Sequence, residues 1–230
     1  MENVFQPVSI EFNDTDQQNI GQVVITPCST GFGTTIGNSL RRVLLSSLPG
    51  AAVESVRIEG VQHEFSAIEG VQEDVIEVIL NLKQLAARSH ADGPVTLSLS
   101  KKGKGPVTAA DFEKNADIEI ANEDLVIANI TDDSKTLDMQ ITIGNGFGYI
   151  PVSEKETQDL DLGTIAIDSL YTPIRDVGYK VDSTRVGDIT NYEKLTLTVE
   201  TNGTISPAEA VKNASSVLVE HFNSIIEAAG

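Results

Sequence analysis

Residues 31–47 have the sequence GFGTTIGNSLRRVLLSS, and this stretch decides which fold class the chain can belong to. Its glycines run into a helical pattern, as they do in loops that hold a phosphate at a helix N-terminus. A Walker loop, however, requires Gly-Lys-Ser/Thr where this chain has Gly37, Asn38 and Ser39. A dinucleotide-binding fold also requires parallel βαβ units. The stretch therefore favours a helix that contacts protein, and an anion-binding enzyme is the alternative.

The rest of the chain has mainly strand patterns instead of βαβ units. Apolar and polar residues alternate with period two, as in half-buried antiparallel strands. The clearest segments are VESVRIEGV (53–61), PVTLSLS (94–100), LDMQITIG (137–144) and KLTLTVETNG (194–203). Helical periodicity replaces this alternation from Thr34, in VQEDVIEVILNLKQLAARS from Val71, and in SPAEAVKNASSVLVEHFNSIIEAA from Ser206. Many strands with few helices predict an α+β fold.

The third helical stretch has a clear start signal and a wide apolar face. Ser206 is placed as the N-cap, Pro207 takes the first helical position, and Glu209 completes a capping box. The apolar side chains cover roughly 200° of the helix, twice the width expected for packing on one core. They are Val211, Ala214, Val217, Leu218, Val219, Phe222, Ile225 and Ile226. This width favours a second subunit as an additional packing surface, and a larger monomer that buries the helix is the alternative.

The first helical stretch separates an apolar stripe from an arginine. Five apolar side chains fall within roughly 140° and are expected to face a core. They are Ile36, Leu40, Val43, Leu44 and Leu48. Arg42 lies on the far side with Asn38 and an exposed Leu45 beside it, whereas Arg41 lies nearer the edge of the core. An arginine next to an apolar side chain is typical of protein interfaces, and a solvated arginine is the alternative.

Net charge and residue content limit the classes of function. The chain has 34 acidic and 16 basic residues, a formal charge of −18, so its field repels nucleic acid and anionic lipid. One cysteine, Cys28, and three histidines argue against a disulfide framework and a zinc cluster. No apolar run approaches the ~20 residues of a membrane span, and the amino end lacks a signal-peptide pattern. We expect a soluble, cytoplasmic protein with no metal, cofactor or direct DNA binding.

Residues 100–111, SKKGKGPVTAAD, form the one low-complexity patch. Their glycines predict a mobile loop at a hairpin tip. The three lysines are expected to be solvated, and attraction of an anion is the alternative.

Four separated motifs carry a resemblance to a known family. They are GFGTTIGNSLRRVLLSSLPGAAV (31–53), EFSAIEGVQEDVIEVILNLKQL (64–85), GPVTAAD (105–111) and KLTLTVETNGTISPAEAV (194–211). In this order they resemble the amino-terminal assembly portion of the bacterial RNA polymerase alpha subunit family, over nearly the full chain. The resemblance implies a non-catalytic subunit of DNA-directed RNA polymerase, a nucleotidyltransferase complex. It also implies a homodimer on which the beta and beta-prime subunits assemble for transcription.

The resemblance implies two domains, one of them discontinuous. Residues 1–49 and 174–230 would form a dimerisation domain, with the first and third helices on an antiparallel sheet. Residues 50–173 would form an inserted, mostly β domain that contains the helix from Val71. The family's linker and its helical carboxy-terminal domain, which touches upstream DNA and activators, are expected to be absent.

The resemblance also assigns site residues. The beta-binding set is expected at Asn38, Arg41, Arg42 and Leu45, where Arg42 matches the second arginine of the family's Asn-x-Leu-Arg-Arg helix. The beta-prime set is expected at Lys83 of Asn81-Leu82-Lys83, at Tyr171 and Pro173, and at Arg185 beside Val186. The dimer interface is expected at Ile36, Leu40, Val211, Leu218, Phe222 and Ile225.

Two departures from the family pattern change positions that are usually charged or polar. Asp188 and Ile189 stand where the family often has a polar and a basic residue. Ser29 and Thr30 replace a charged residue that usually precedes Gly-Phe-Gly. Any contact that the family makes through the basic residue at the position of Ile189 would therefore be lost here.

Overall fold

The computed structural model describes residues 9–15, 19–155, 161–187 and 189–229. Across these ranges the chain has three α-helices and fourteen β-strands, and the paired strands are antiparallel. The predicted α+β fold class is confirmed. Asp188 lies outside the described residues, as does the side chain of Ile189.

The chain divides into two compact units. The first unit consists of Met1–Leu48 and Thr172–Gly230, and the second consists of Pro49–Tyr171. Each unit has its own cluster of buried apolar side chains. The first unit is therefore discontinuous in sequence, and the second is inserted into it.

The first unit is built on a four-stranded sheet. In spatial order its strands are β1 (Ser9–Asp14), β2 (Ile20–Cys28), β14 (Ile189–Thr201) and β13 (Ile174–Val186). Val23 stands opposite Leu197 and Ile25 opposite Leu195, so these buried side chains share one face. The helices α1 (Phe32–Ser46) and α3 (Pro207–Ala228) contribute to the same core. Their buried apolar side chains are Leu40, Leu44, Ala210, Val211 and Ala214.

The start of α3 agrees with the sequence prediction, and the start of α1 does not. The Ser206 hydroxyl accepts a hydrogen bond from the Glu209 amide at 3.1 Å, and Pro207 lies in the first turn. The α1 helix begins at Phe32, two residues before the predicted Thr34. The prediction was late because Gly31, with φ of 84°, serves as the N-cap in a left-handed conformation that glycine tolerates.

The second unit has a six-stranded sheet and two smaller strand pairs. The main path runs β5 (Val95–Lys102), β9 (Thr136–Phe147), β3 (Pro49–Ile58), β4 (Ala87–Ser89) and β7 (Ile118–Ile120), with β11 (Thr164–Ala166) also on β3. The smaller pairs are β6 (Gly105–Thr108) with β8 (Val126–Ile130), and β10 (Tyr149–Ile150) with β12 (Ser169–Leu170). The helix α2 (Val75–Leu82) buries Val75, Val78 and Leu82 in the core of this unit.

The predicted helix from Val71 was too long. Asp74 caps α2 by accepting a hydrogen bond from the Glu77 amide at 2.8 Å, so the helix begins at Val75. At the other end, the predicted helical residues from Ala87 to Ser89 form β4. Ala87 pairs with β3 and with β7, and periodicity within one segment does not reveal such long-range pairing.

The prediction of a mobile loop at residues 100–111 was wrong. The β5 strand continues to Lys102, β6 covers Gly105–Thr108, and a 3₁₀ turn follows at Ala109–Asp111. Lys101 Nζ lies 2.6 Å from the Asp111 carboxylate and 2.8 Å from the carbonyl oxygen of Pro106. This lysine therefore holds the segment together, where the sequence suggested a solvated side chain.

Candidate functional site

The glycine stretch before α1 is held by a carboxylate of the chain itself. The amide of Gly31 donates to Glu193 Oε1 at 2.8 Å, and the amide of Gly33 donates to Glu193 Oε2 at 2.9 Å. These are amides that a phosphate-binding loop would offer to its ligand. A phosphate at this position would have to displace Glu193, so the geometry disfavours the nucleotide-binding alternative.

Two glycines of α1 allow its close approach to the sheet. A Cβ atom on Gly33 would lie 2.8 Å from Glu193 Oε2, and a Cβ on Gly37 would lie 2.8 Å from the Tyr179 ring. Both distances are shorter than van der Waals contact, so neither position has space for a side chain. These glycines therefore serve packing between α1 and the strands β13 and β14.

The two arginines of α1 have different surroundings. Arg41 Nε donates a hydrogen bond to the carbonyl oxygen of Val177 on β13 at 3.0 Å. Arg42 is exposed, and within the described ranges its guanidinium has no hydrogen bond or ion pair. Asn38 is exposed as well. Leu45, which we expected to be exposed, is half-buried and packs against the core of the first unit.

The six residues expected at the dimer interface differ in exposure. Leu40 and Val211 are buried inside the first unit, and Ile36 and Leu218 are half-buried against its core. Phe222 is 56% exposed and Ile225 is 63% exposed. These two lie in the C-terminal half of α3, where Val219 and Ile226 are also exposed. The helix thus packs on its own unit through its first half and presents apolar side chains along its second half.

Lys83, from the expected beta-prime set, forms an ion pair in the second unit. Its Nζ lies 2.9 Å from Asp168 Oδ2, and Asp168 Oδ1 accepts a hydrogen bond from the Val152 amide at 2.8 Å. The hydrogen bond from Lys83, followed by that from Val152, lowers the pKa of the Asp168 carboxyl. Lys83 is therefore oriented at the C-terminal end of α2, and its side chain remains partly exposed.

Of the other members of the expected beta-prime set, Tyr171 and Pro173 are buried, whereas Arg185 is exposed. Tyr171 is buried and donates a hydrogen bond to Glu54 at 2.6 Å; burial and this bond raise its pKa to about 12. Asn81 donates to the Ile127 carbonyl oxygen at 2.9 Å, and Leu82 is buried. In the first unit Pro173 is buried, whereas Arg185 is exposed and bonds the Gly187 carbonyl oxygen at 2.6 Å.

Sequence reasoning missed a polar cluster that bonds to the backbone of β3. Lys155 Nζ contacts Ser169 Oγ at 2.6 Å, the Glu54 carbonyl oxygen at 3.3 Å, and the Ile167 carbonyl oxygen. Ser169 is buried, and its hydroxyl donates to the Val53 carbonyl oxygen at 2.7 Å. Burial lowers the pKa of the Lys155 ammonium. The sequence has no signal for this cluster, because its members lie up to 116 positions apart.

Sequence reasoning also missed the outer face of α2. Ile76 and Leu80 are exposed one turn apart, on the side opposite the buried Val78 and Leu82. Lys83 follows at the helical spacing that places it on the same side. The signal was present in VIEVILNL, which is apolar around most of the helix, whereas the second unit covers only one face.

Nowhere in the described ranges do three or more His, Cys, Asp or Glu side chains form a group suited to a metal ion. None of the helices within those ranges has the length and apolar character required to cross a membrane.

Comparison with known proteins gives one consistent result. The family model for the RNA polymerase Rpb3/RpoA insert domain matches residues 56–172. DNA-directed RNA polymerase subunit alpha of Clostridium botulinum (strain Eklund 17B / Type B) is 46% identical over 222 residues, 96% of this chain and 70% of that protein. The same subunit of Symbiobacterium thermophilum is 51% identical over 211 residues, 92% of this chain and 67% of that protein.

A third relative extends the comparison to another genus. DNA-directed RNA polymerase subunit alpha of Alkaliphilus metalliredigens is 48% identical over 215 residues, which cover 94% of this chain and 68% of that protein. Such identity across both units requires a common fold and a common ancestry. The chain belongs to the family of DNA-directed RNA polymerase alpha subunits.

Proposed function

We propose that this chain is a non-catalytic assembly subunit of the polymerase, which forms a homodimer in the cytoplasm and binds the beta and beta-prime subunits. The observation that carries the proposal is the way in which α1 is held on its own sheet. This helix is held to its own sheet at Gly33, Gly37 and Arg41, while Arg42 on the opposite side is exposed. An exposed guanidinium on a fixed helix is suited to bidentate contact with a partner's carboxylate or carbonyl groups.

The proposed homodimer is supported by apolar surface that the first unit leaves uncovered. The second half of α3 exposes Val219, Phe222, Ile225 and Ile226. On β1, Ile10 and Phe12 are exposed although they stand beside the buried Ile25 and Val23 in the register. Several large exposed apolar side chains on one unit are typical of an obligate interface. A second copy would bury these side chains together with the half-buried Ile36 and Leu218.

Beta-prime is proposed to bind the second unit at the outer face of α2. The exposed Ile76 and Leu80 offer apolar area, and Lys83 with Asp168 offers a charged pair at the end of that stripe. Apolar contact surrounded by polar groups is the usual composition of a protein interface. Direct DNA binding by this chain is not part of the proposal, because its charge of −18 repels phosphate.

Mixing the purified chain with purified beta tests the proposal. Size-exclusion chromatography with mass detection should give a dimer of the free chain and a complex of two copies per beta. Addition of beta-prime should then increase the mass by one further subunit. A free chain that remains monomeric and forms no complex with beta would contradict the proposal. Saturable binding of a nucleotide to the free chain would instead support the enzyme alternative.

A further inference from the structure

Glu193 connects the start of α1 to a strand that is 160 residues further along the chain. The N-cap residue, Gly31, offers no side chain to the free amides, and the first turn contains no acidic residue. Glu193 supplies both missing elements from β14, because its two carboxylate oxygens accept from Gly31 and Gly33. A carboxylate at a helix N-terminus also interacts favourably with the helix dipole.

This cap is the first of three contacts along one stripe of α1. Positions 33, 37 and 41 are four residues apart and therefore lie on one side of the helix. Gly33 faces Val181 and Glu193, and Gly37 faces Tyr179. Arg41 then bonds the Val177 carbonyl oxygen on the same strand, β13. Three contacts in line oppose both rotation of α1 about its axis and fraying of its first turn.

The stripe determines which side of α1 is presented to solvent. Arg42 lies roughly 140° around the helix from Gly37, the middle of the stripe, and it is exposed. The absence of a Cβ on Gly33 leaves the space that the Glu193 carboxylate occupies. The glycine and the distant carboxylate are thus two parts of one contact.

We infer that Glu193 is a positioning residue for the partner-binding face of α1. It fixes the first turn of the helix on β14 and thereby sets the orientation in which Asn38 and Arg42 meet beta. The inference rests on the proposed function, since it assumes that α1 is the helix that binds beta. It adds a residue on another element, which touches no partner itself and acts through two backbone hydrogen bonds.

The substitution Glu193→Gln tests this role with little change of shape. Its amide oxygen can accept one of the two backbone hydrogens, but its amino group faces the other donor. We expect hydrogen exchange of the first-turn amides of α1 to accelerate by about tenfold, because a charge-assisted bond is lost. Capture of beta should weaken by about fivefold or more.

Two control variants separate positioning from loss of charge and from loss of stability. Glu200→Gln removes a carboxylate from the same strand, seven residues beyond Glu193 and opposite Ile20 of β2. Val199→Ala removes buried volume from β14 and should lower the melting temperature of the first unit at least as much as Glu193→Gln does. Capture is measured well below the melting temperature of each variant, so that all of them are folded. Both controls should capture beta as the unchanged chain does.

The outcomes distinguish this inference from the proposed function. If Arg42→Ala abolishes capture while Glu193→Gln captures normally, the positioning role is wrong and the proposed function stands. Weakening that is equal in Glu193→Gln and Val199→Ala also overturns it, because general destabilisation then explains the result. If the unchanged chain fails to capture beta, the proposed function falls and the positioning role falls with it. Unchanged amide exchange in Glu193→Gln overturns the capping contact independently of any partner.

Discussion

The helices α1 and α3 lie in the same unit but leave opposite kinds of surface uncovered. The apolar stripe of α1 is buried or half-buried in the core of the first unit, and the exposed side carries Asn38 and Arg42. The second half of α3 is exposed and carries apolar side chains such as Phe222 and Ile225. Exposed apolar area is typical of an interface that forms together with folding. An exposed arginine is hydrated and can remain in contact with solvent until a partner binds. The two helices therefore predict two successive association steps.

The difference arises because α1 packs on its own unit along most of its length, whereas α3 does so only along its first half. The contacts of α1 at Gly33, Gly37 and Arg41 extend along most of its 15 residues. In α3, which has 22 residues, the buried residues are confined to Ala210, Val211 and Ala214. From Val219 onward its side chains are exposed. Substitutions on α1 and α3 should therefore have different effects on stability and on association.

The largest effect is expected at Phe222 in the second half of α3. Phe222→Glu would bury an unpaired charge in the proposed dimer interface and weaken dimerisation by ~3 kcal/mol or more. Mass-resolved chromatography at low micromolar concentration should then detect monomer. Asn213→Glu, on an exposed position of the same helix, is the matched control and should remain a dimer. A Phe222→Glu variant that elutes at dimer mass would contradict the assignment of this interface.

A smaller effect, on binding alone, is expected at Arg42. Loss of a desolvated bidentate contact in Arg42→Ala should weaken beta binding by about 2 kcal/mol, and Arg42→Lys should recover little of it. The melting temperature and the dimer mass should be unchanged, because the side chain is exposed. Arg41→Ala should instead lower the melting temperature, since its bond to Val177 is lost. Normal capture of beta by Arg42→Ala would reduce this residue to a solvated arginine.

Gly37 tests whether α1 requires its close approach to the sheet. Gly37→Ala would place a methyl group 2.8 Å from the Tyr179 ring and should destabilise the chain by more than about 1 kcal/mol. Gly178→Ala is the matched control, because a Cβ there meets no atom within 4 Å. Thermal unfolding of both variants measures the effect. Equal melting temperatures would show that α1 can shift without cost.

The smallest effect is expected for the Lys83–Asp168 pair. The lowered pKa of Asp168 means that the pair stabilises the fold above the ordinary carboxyl pKa of 3.8 and stops doing so as pH falls through the lowered value. Lys83→Met should therefore cost at most ~1 kcal/mol near neutral pH, since the pair is partly exposed. The difference from the unchanged chain should vanish in strong acid. A difference that persists there would assign the loss to packing of the lysine stem.

Local patterns were sufficient for the fold class and for parts of the site. Alternation with period two, interrupted by three helical stretches, predicted the α+β fold, which the structure confirms. The Ser206 cap predicted the start of α3. Helical spacing placed Arg42 opposite the apolar stripe, and the structure has it exposed. Each of these inferences depends on residues within a few turns of one another.

The errors arose where a distant segment decides the local structure. The helix from Val71 was predicted to continue through Ala87, but that residue pairs with two strands. Lys101 was predicted to be solvated, but it bonds Asp111 after the chain turns back. Leu45 was predicted to be exposed because a helical wheel does not include the neighbouring elements that cover it.

The sequence by itself determined the fold class, the start of α3 and the family, because these depend on residue type, spacing and similarity along the chain. Only the tertiary structure decided which polar groups are already satisfied within the chain. Glu193 on Gly31 and Gly33, and Asp168 on Lys83, are pairs of residues between 85 and 162 positions apart. Such pairs form where folding brings two segments within hydrogen-bond distance, and no spacing rule encodes that distance. Helical spacing separated Arg42 from Arg41, which lies nearer the core, but only the fold shows that Arg41 bonds the Val177 carbonyl oxygen of its own sheet, whereas Arg42 has no such bond within the described ranges.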